Sequence, residues 1–512
     1  MTTKAAVNNI KVRMYRHGFG DCFLLSYFHD DDRVFSMLID CGIKLNTKST
    51  DVPIEDVIAD LKATLEPPGG GAPRIDVLVA THEHWDHIAF FHPTKFPDFF
   101  SAFDIGQVWL AWTENPQDED AAVINSRLRD GAAALQIATT KLKAAATEEM
   151  RSMNGMGFGG RVAAAREHLN SAMDDVLGFY GVSAGKKVSK SGIKYKPNGR
   201  ISVETEVAMN HIMKLGKKGG VRYCLPGETI DEESLPPGVN VFVLGPPKGS
   251  AINRSNPSSG ANKETYEAHS IDATGLTGFI DGILQLGPGE SSATDVENGP
   301  FGQNSGMTAA EVRKNPYFRE TYFSDSEKYR QIEHCWLDVT SQFALQLDGA
   351  VNNTSLVLAI ELADSGKVLL FPGDAQVGSW LSWHDLEWKV RNGGKTETRT
   401  AEQLLNKTVL YKVSHHGSHN ATIQQKGLEM MKDPELVAMI PEKEKSYNGI
   451  LHEPLMTRLQ KLCRGRVLIS ADSENRPEDL LKTRPAGISA AAWKKFKSNL
   501  VVDRLYVEYT VK

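Results

Sequence analysis

The stretch Thr81-His82-Glu83-His84-Trp85-Asp86-His87 directly follows Ile75-Asp76-Val77-Leu78-Val79-Ala80, and the two together decide how the chain is read. The upstream run is short, apolar and rich in β-branched residues, which predicts a buried strand. The chain therefore leaves a sheet edge carrying three imidazoles and a carboxylate within six positions. In an extended segment residues two apart face the same side, so His82 and His84 can grip one cation. Asp86 and His87 follow where the backbone can turn, toward a second cation beside the first. Neutral imidazole nitrogens and carboxylate oxygens are the ligands that zinc and similar divalent ions take. The competing reading is a polar loop that happens to be rich in histidine. It leaves the agreement of spacing, ligand type and strand-end position unexplained.

Composition narrows the function classes. The 512 residues are 41% hydrophobic and 24% charged, ordinary for globular material of two to three domains. A net charge of −6 excludes a global basic field, so any nucleic-acid contact needs a local patch. Five dispersed cysteines (Cys22, Cys41, Cys224, Cys335, Cys463) form no C-x-x-C pair, which argues against a disulfide framework and for a reducing compartment. The N-terminus lacks the apolar core of a signal peptide, and no run approaches the roughly 18 apolar residues of a membrane span. The expectation is a cytoplasmic protein with no membrane partner.

Around the motif, residues 8–114 read as the first half of a core. β-runs lie at 10–15, 22–28 and 34–39, the last ending in Asp40-Cys41-Gly42, with a helix from Ile54 and a further strand at 103–111. Residues 115–218 read as an insertion: a helical hairpin over 120–153 and 160–181, then a basic loop with Lys186, Lys187, Lys190, Lys194, Lys196 and Arg200. A solvated charged face is the plainer account of that loop, a phosphate-tracking patch the sharper one. Strand patterns at 219–248 precede a loop-rich insertion over 249–348, a candidate surface for a protein partner or a second copy. Residues 349–512 read as the second half of the core, with a Trp-rich helix carrying Trp380, Trp383 and Trp388.

His82-x-His84-x-Asp86-His87 resembles the signature of the metallo-β-lactamase fold. The resemblance implies an α/β protein, a four-layer αββα sandwich with a metal centre along one edge, here interrupted by the helical and the loop-rich insertions. It implies that Asp21 and Asp40 support the ligands from behind, where turn capping is the plainer alternative. It also implies that Asp374, in Phe371-Pro-Gly-Asp374, bridges both metals. Lys412-Val-Ser-His415-His416-Gly417-Ser418-His419 narrows the resemblance to the soluble domain of bacterial competence (DNA-uptake) proteins, which Asn353-Thr-Ser355 and His452-Glu-Pro454 also fit. His415, nearer the strand, is the preferred ligand of the second cation, and His416 then supports it or donates a proton; the reverse assignment stays open. His452 and His419 can reach the pocket from loops. One departure stands out. A typical member has a histidine shortly before the strand leading to the bridging aspartate, where this chain reads Asn352-Asn353-Thr354-Ser355. The first cation is left with His82, His84 and Asp374.

The implied cofactor is one or two zinc ions, with manganese as substitute. A divalent ion lowers the pKa of bound water from 15.7 toward about 7. Asp86 and Asp374 then orient that water and accept its proton, and His416 or His452 protonates the departing oxygen. The reaction class is hydrolysis, and no nucleotide-cofactor fingerprint turns the site to redox use. The substrate implied is a phosphodiester, as in a phosphodiesterase or a nuclease. The alternatives are a small ester, lactone or β-lactam, or a partner-recruiting scaffold whose metal site is vestigial or regulated.

Overall fold

Ile10, Val12 and Met14 alternate with Lys11 and Arg13 along β1 (Asn9–Tyr15), so one face of the strand is buried and the other partly exposed. β2 (Phe23–His29) and β3 (Asp32–Ile39) extend it into an antiparallel meander. Three parallel strands follow: β4 (Arg74–Val79), β5 (Asp104–Ala111) and β6 (Val221–Cys224). The later chain builds β7 (Val239–Gly245), β8 (Val357–Leu362) and β9 (Lys367–Phe371) as an antiparallel set. A small hairpin, β10 (Glu387–Asn392) with β11 (Lys395–Thr400), comes next. β12 (Thr408–Lys412), β13 (Val437–Ile440) and β14 (Val467–Ile469) then run parallel to β9. The final strands, β15 (Leu500–Val502) and β16 (Tyr506–Val511), return to the first sheet, where β16 pairs with β1. The structure, a computed structural model, describes residues 6–45, 47, 49, 51–132, 134–136, 177–181, 203–216, 219–230, 233–254, 309–324, 346–392, 395–442, 451–470 and 476–512.

Two mixed sheets result, in the orders β15-β16-β1-β2-β3-β4-β5-β6 and β14-β13-β12-β9-β8-β7. Both are lined with apolar residues on both faces. Val12, Leu25, Met37 and Val79 of the first sheet share one cluster with Val243, Ile360, Phe371 and Leu468 of the second. The other face of the first sheet, with Leu24, Leu38 and Leu78, is covered by α1 (Ile54–Leu65) through Val57 and Leu61. The short α2 (Trp85–Ile88) and α3 (Glu204–Leu215) join the same cluster. On α1, Val57, Leu61 and Leu65 recur every four residues, the spacing that turns one helical face to a core. The outer face of the second sheet packs on α4 (Val377–Ser382), α5 (Ala401–Asn406) and α6 (Glu453–Leu462) through Trp380, Leu404 and Leu455. The fold is a mixed α/β architecture with helices outside both sheets.

One expectation changes. Trp388 lies on β10, not on the Trp-rich helix, and its indole N–H donates to the Val243 carbonyl (3.0 Å). β15 and β16, late in the chain, complete the first sheet. Most of the expected helical hairpin, the basic loop 183–200 and most of the loop-rich insertion lie outside the described residues. Among the described residues, no helix is long and apolar enough to cross a membrane. Cys22, Cys41, Cys224 and Cys463 are all free thiols.

Candidate metal centre

The carboxyl ends of β3, β4, β9 and β12 meet along one edge, the place where parallel strands present ligand-binding groups. Each strand hands over its functional residues as it ends: Asp40 after β3, His82 to His87 after β4, Asp374 after β9, and His415 with His416 after β12. The Leu356 N–H donates to the Thr81 carbonyl (2.8 Å), tying the two sheets together at this edge. Backbone bonds knit three loops into one unit: Asp21 N–H to Asp86 O (2.9 Å), Cys41 N–H to His87 O (2.8 Å), and Gly42 N–H to Asp21 O (3.0 Å). Gly42 allows this approach, since a Cβ there would lie 2.3 Å from the Asp86 carbonyl carbon. Asp40 (φ 56°), His415 (φ 45°) and His416 (φ 50°) all adopt left-handed backbone, a strained state for non-glycine residues that clusters at functional sites.

Asp86, His87, Asp374 and His416 each offer one ligand atom, and all four atoms lie within 4.8 Å of one another. His416 Nε2 is 3.2 Å from Asp86 Oδ2, and His87 Nε2 is 3.2 Å from Asp374 Oδ2. Zinc–nitrogen bonds of 2.0–2.1 Å in a tetrahedron put neighbouring ligand atoms about 3.3 Å apart, so this spacing suits one ion. The outer nitrogens are tied off. His87 Nδ1 donates to Asp40 Oδ2 (2.8 Å), and His416 Nδ1 donates to the Pro441 carbonyl (2.7 Å). Those bonds fix the tautomer that turns each Nε2 lone pair inward.

His82 and His84 stand beside this group as a pair, with His82 Nε2 3.1 Å from His84 Nδ1. Thr81 Oγ1 donates to Asp40 Oδ2 (2.7 Å) and lies 3.1 Å from His82 Nδ1, whose N–H it can accept. His82 Nε2 is therefore also left inward. His84 is reversed, with Nδ1 inward and Nε2 facing Asp348 Oδ1 at 3.9 Å. The Asp348 carboxyl, pushed up to about 6 by burial, sits four residues before Asn352, whose amide donates to it (3.1 Å).

Lys412 is the residue that balances the charge. Its buried ammonium donates to Asp21 Oδ2 (2.7 Å), Asp374 Oδ1 (3.0 Å) and the Gly373 carbonyl (2.9 Å). Burial works to raise the Asp374 carboxyl, but Lys412 and His87 hold it well below the usual carboxylate range. Lys412 pairs with two of the four clustered carboxylates, Asp21 and Asp374, and leaves Asp40 and Asp86, an excess of negative charge that a protein interior tolerates only with protons or cations. The excess shows on the imidazoles. Burial works against protonating His87, yet Asp374, Asp86, Asp21 and Asp40 raise its pKa well above the usual value. His416 is likewise raised against its burial, first by its bond to Asp86. The donor set and the charge fit divalent cations.

His82, His84, Asp86, His87, Asp374 and His416 are all at most 1% exposed. Phe19 lies against His416 (ring centroids 4.2 Å), and Phe179 and Tyr180 lie against His84 (5.5 and 5.4 Å). The Trp85 N–H donates to the Phe179 carbonyl (2.6 Å), so residues 177–181 are fastened over the centre. From the first insertion, Arg129 pairs with Glu83 (2.8 Å), the residue between His82 and His84.

The structure brings together His82, His84, Asp86, His87, Asp374 and His416, with Asp21 and Asp40 behind them. Of the adjacent histidines, His416 stands in the cluster. His415, preferred from sequence, donates its backbone N–H to Asp374 (3.2 Å) and turns its ring toward Asn352 (3.4 Å). The left-handed turn at both residues makes this exchange. His419 and His452 lie ring to ring (6.1 Å), and neither belongs to the cluster. Lys412 and Asp348 were missed. Lys412 has a readable signal, a lysine ending the apolar run Val409-Leu-Tyr, whereas Asp348, in Leu347-Asp348-Gly-Ala-Val351, has none. Comparison with protein-family models, curated proteins and solved structures finds no match to the chain.

Proposed function

We propose that the chain is a metal-dependent hydrolase of the metallo-β-lactamase fold that cleaves a phosphodiester with water. One observation carries the reading: two imidazoles and two carboxylates (His87, His416, Asp86, Asp374) converge with ligand atoms within 4.8 Å, the His82–His84 pair stands beside them, and the outer atoms of His82, His87, His416 and Asp374 are held by partners. The order of helices, two sheets and helices supports the αββα sandwich, and the motif-bearing strand ends support the competence-like branch. The cofactor proposed is two zinc ions, with manganese as substitute. His82, His84 and Asp374 would hold one, and Asp86, His87, His416 and Asp374 the other. Bound there, divalent ions supply a water acidified toward about pH 7 and polarise the substrate oxygen.

The residues then divide the work. Asp374 Oδ1 is occupied by Lys412 and the His415 N–H, so only Oδ2 faces the centre. Asp86 Oδ1 has no hydrogen-bond partner, which makes Asp86 the base that orients the attacking water and takes its proton. His416 has both nitrogens engaged and is a ligand, not a proton donor. His415, half-buried with Nδ1 unpartnered, is the imidazole left to protonate the departing oxygen. The roof of Phe19, Phe179 and Tyr180 favours a compact phosphodiester over a long duplex. The same enclosure favours hydrolysis of a small ester or lactone as the second reading.

The test loads the protein with zinc or manganese. It is then assayed on bis-p-nitrophenyl phosphate, short single-stranded DNA and RNA, p-nitrophenyl acetate and nitrocefin. Phosphodiester turnover is expected, and Asp86→Ala should lower it by roughly 10²–10⁴-fold with the circular dichroism unchanged. Unchanged turnover in that variant, or a wild-type protein that binds no divalent ion, overturns the proposal.

A further inference from the structure

Three of the four inward-facing imidazoles have an oxygen acceptor on the outer nitrogen: Thr81 Oγ1 for His82, Asp40 for His87 and the Pro441 carbonyl for His416. The fourth breaks the pattern. His84 Nε2 is buried with no partner at full hydrogen-bond distance, although the Asn352 side chain acts on this imidazole, and Asp348 Oδ1, the carboxylate oxygen facing it at 3.9 Å, is likewise unpartnered. Two complementary unpartnered atoms this close in a protein interior call for an explanation. About 1 Å of movement brings them to the 2.7–2.9 Å of a charge-assisted hydrogen bond.

We propose that Asp348 is the positioning carboxylate of His84: it accepts the Nε2–H, fixes the tautomer that presents Nδ1 inward, and sets the affinity of the first cation. The inference rests on the metal-centre reading above. Asp348 and Asn352 are four apart within the helical residues 346–352, so one helical face turns both toward the centre. The Asn352 amide donates to Asp348 Oδ2 (3.1 Å), which fixes the carboxylate and leaves Oδ1 for His84. The same amide nitrogen lies 3.4 Å from His415 Nε2, so the group also reaches the imidazole outside the cluster. This polar group stands just before the strand where a third histidine is expected and absent. With two imidazoles on that side, the basicity of each weighs more on the cation they hold.

The experiment titrates chelator-stripped protein with zinc by calorimetry, in wild type, Asp348→Asn and Asp348→Ala. Wild type should take up two ions. Asp348→Ala should weaken one by roughly 10–100-fold, the loss usual for an outer partner of a ligating histidine, and leave the other nearly unchanged. Asp348→Asn keeps the size and removes the charge, so it should fold as wild type and lose part of that affinity. In protein with ¹⁵N-labelled histidine, His84 should show the Nε2–H tautomer in wild type and a mixture in Asp348→Asn, a readout independent of turnover. Unchanged affinities together with an unchanged tautomer overturn the role of Asp348 alone. A wild-type protein that binds no ion overturns the parent reading and this one with it.

Discussion

The two halves of the centre are built from the same side chain at the same depth, yet they behave oppositely. Burial, then His87 and its neighbour, hold His82 well below the usual imidazole value, and burial brings His84 to about 4. His87 and His416 are equally buried and are raised. The difference is the carboxylates. Asp21, Asp40, Asp86 and Asp374 lie within 4 Å of His87, while among the described residues His84 has only Asp348 at that distance. Burial lowers all four alike, so the difference in proton affinity is set by neighbours, and a cation feels the same field. The carboxylate-rich half should load first and tightly, the His82 half second and weakly.

Removing one imidazole from each half gives the largest effect. His87→Ala should abolish the tight equivalent, a loss well beyond the roughly 10–100-fold of an outer partner, and turnover should go with it. His82→Ala should spare that equivalent and remove only the weaker one. Metal content after gel filtration separates the outcomes, and equal losses in both variants would erase the contrast.

Lys412 tests the field itself. Lys412→Met leaves Asp21 and Asp374 buried against each other, and breaking a buried pair costs roughly 3–5 kcal/mol. The metal-free variant should show that loss in urea unfolding, and zinc should recover part of it by supplying the missing positive charge. A variant as stable as wild type without metal would mean that the excess is not felt.

The pH dependence of loading is the finer probe. His87 has a raised pKa, so at neutral pH an incoming ion displaces its proton. Affinity of the tight half must therefore fall as pH falls, by about tenfold per unit for each proton displaced. His84, at about 4, is already neutral at pH 6, so the weak half should change little between pH 8 and pH 6. Chelator competition at the two pH values measures both slopes. Equal slopes would contradict the assignment of the halves.

How much was legible follows the range of the forces. Strands read well where apolar residues alternate or run together, as in β1, β4 and β8, because the pattern is local. Trp388 was misplaced because its indole packs on β7, and nothing nearby in sequence says so. The swap of His415 and His416 turns on two left-handed backbone angles, which residue types alone do not encode. Asp348 stayed hidden for the same reason: its partner is hundreds of residues earlier.

By itself, the sequence determined the donor types: imidazoles and carboxylates at strand ends, in a chain able to bury them. Only the tertiary structure decided which atoms face inward, that His416 and not His415 joins the cluster, and that Lys412 counters its charge. The physical reason is that residue type fixes what a group can donate or accept, whereas direction and proton affinity come from neighbours that the fold brings within 4 Å.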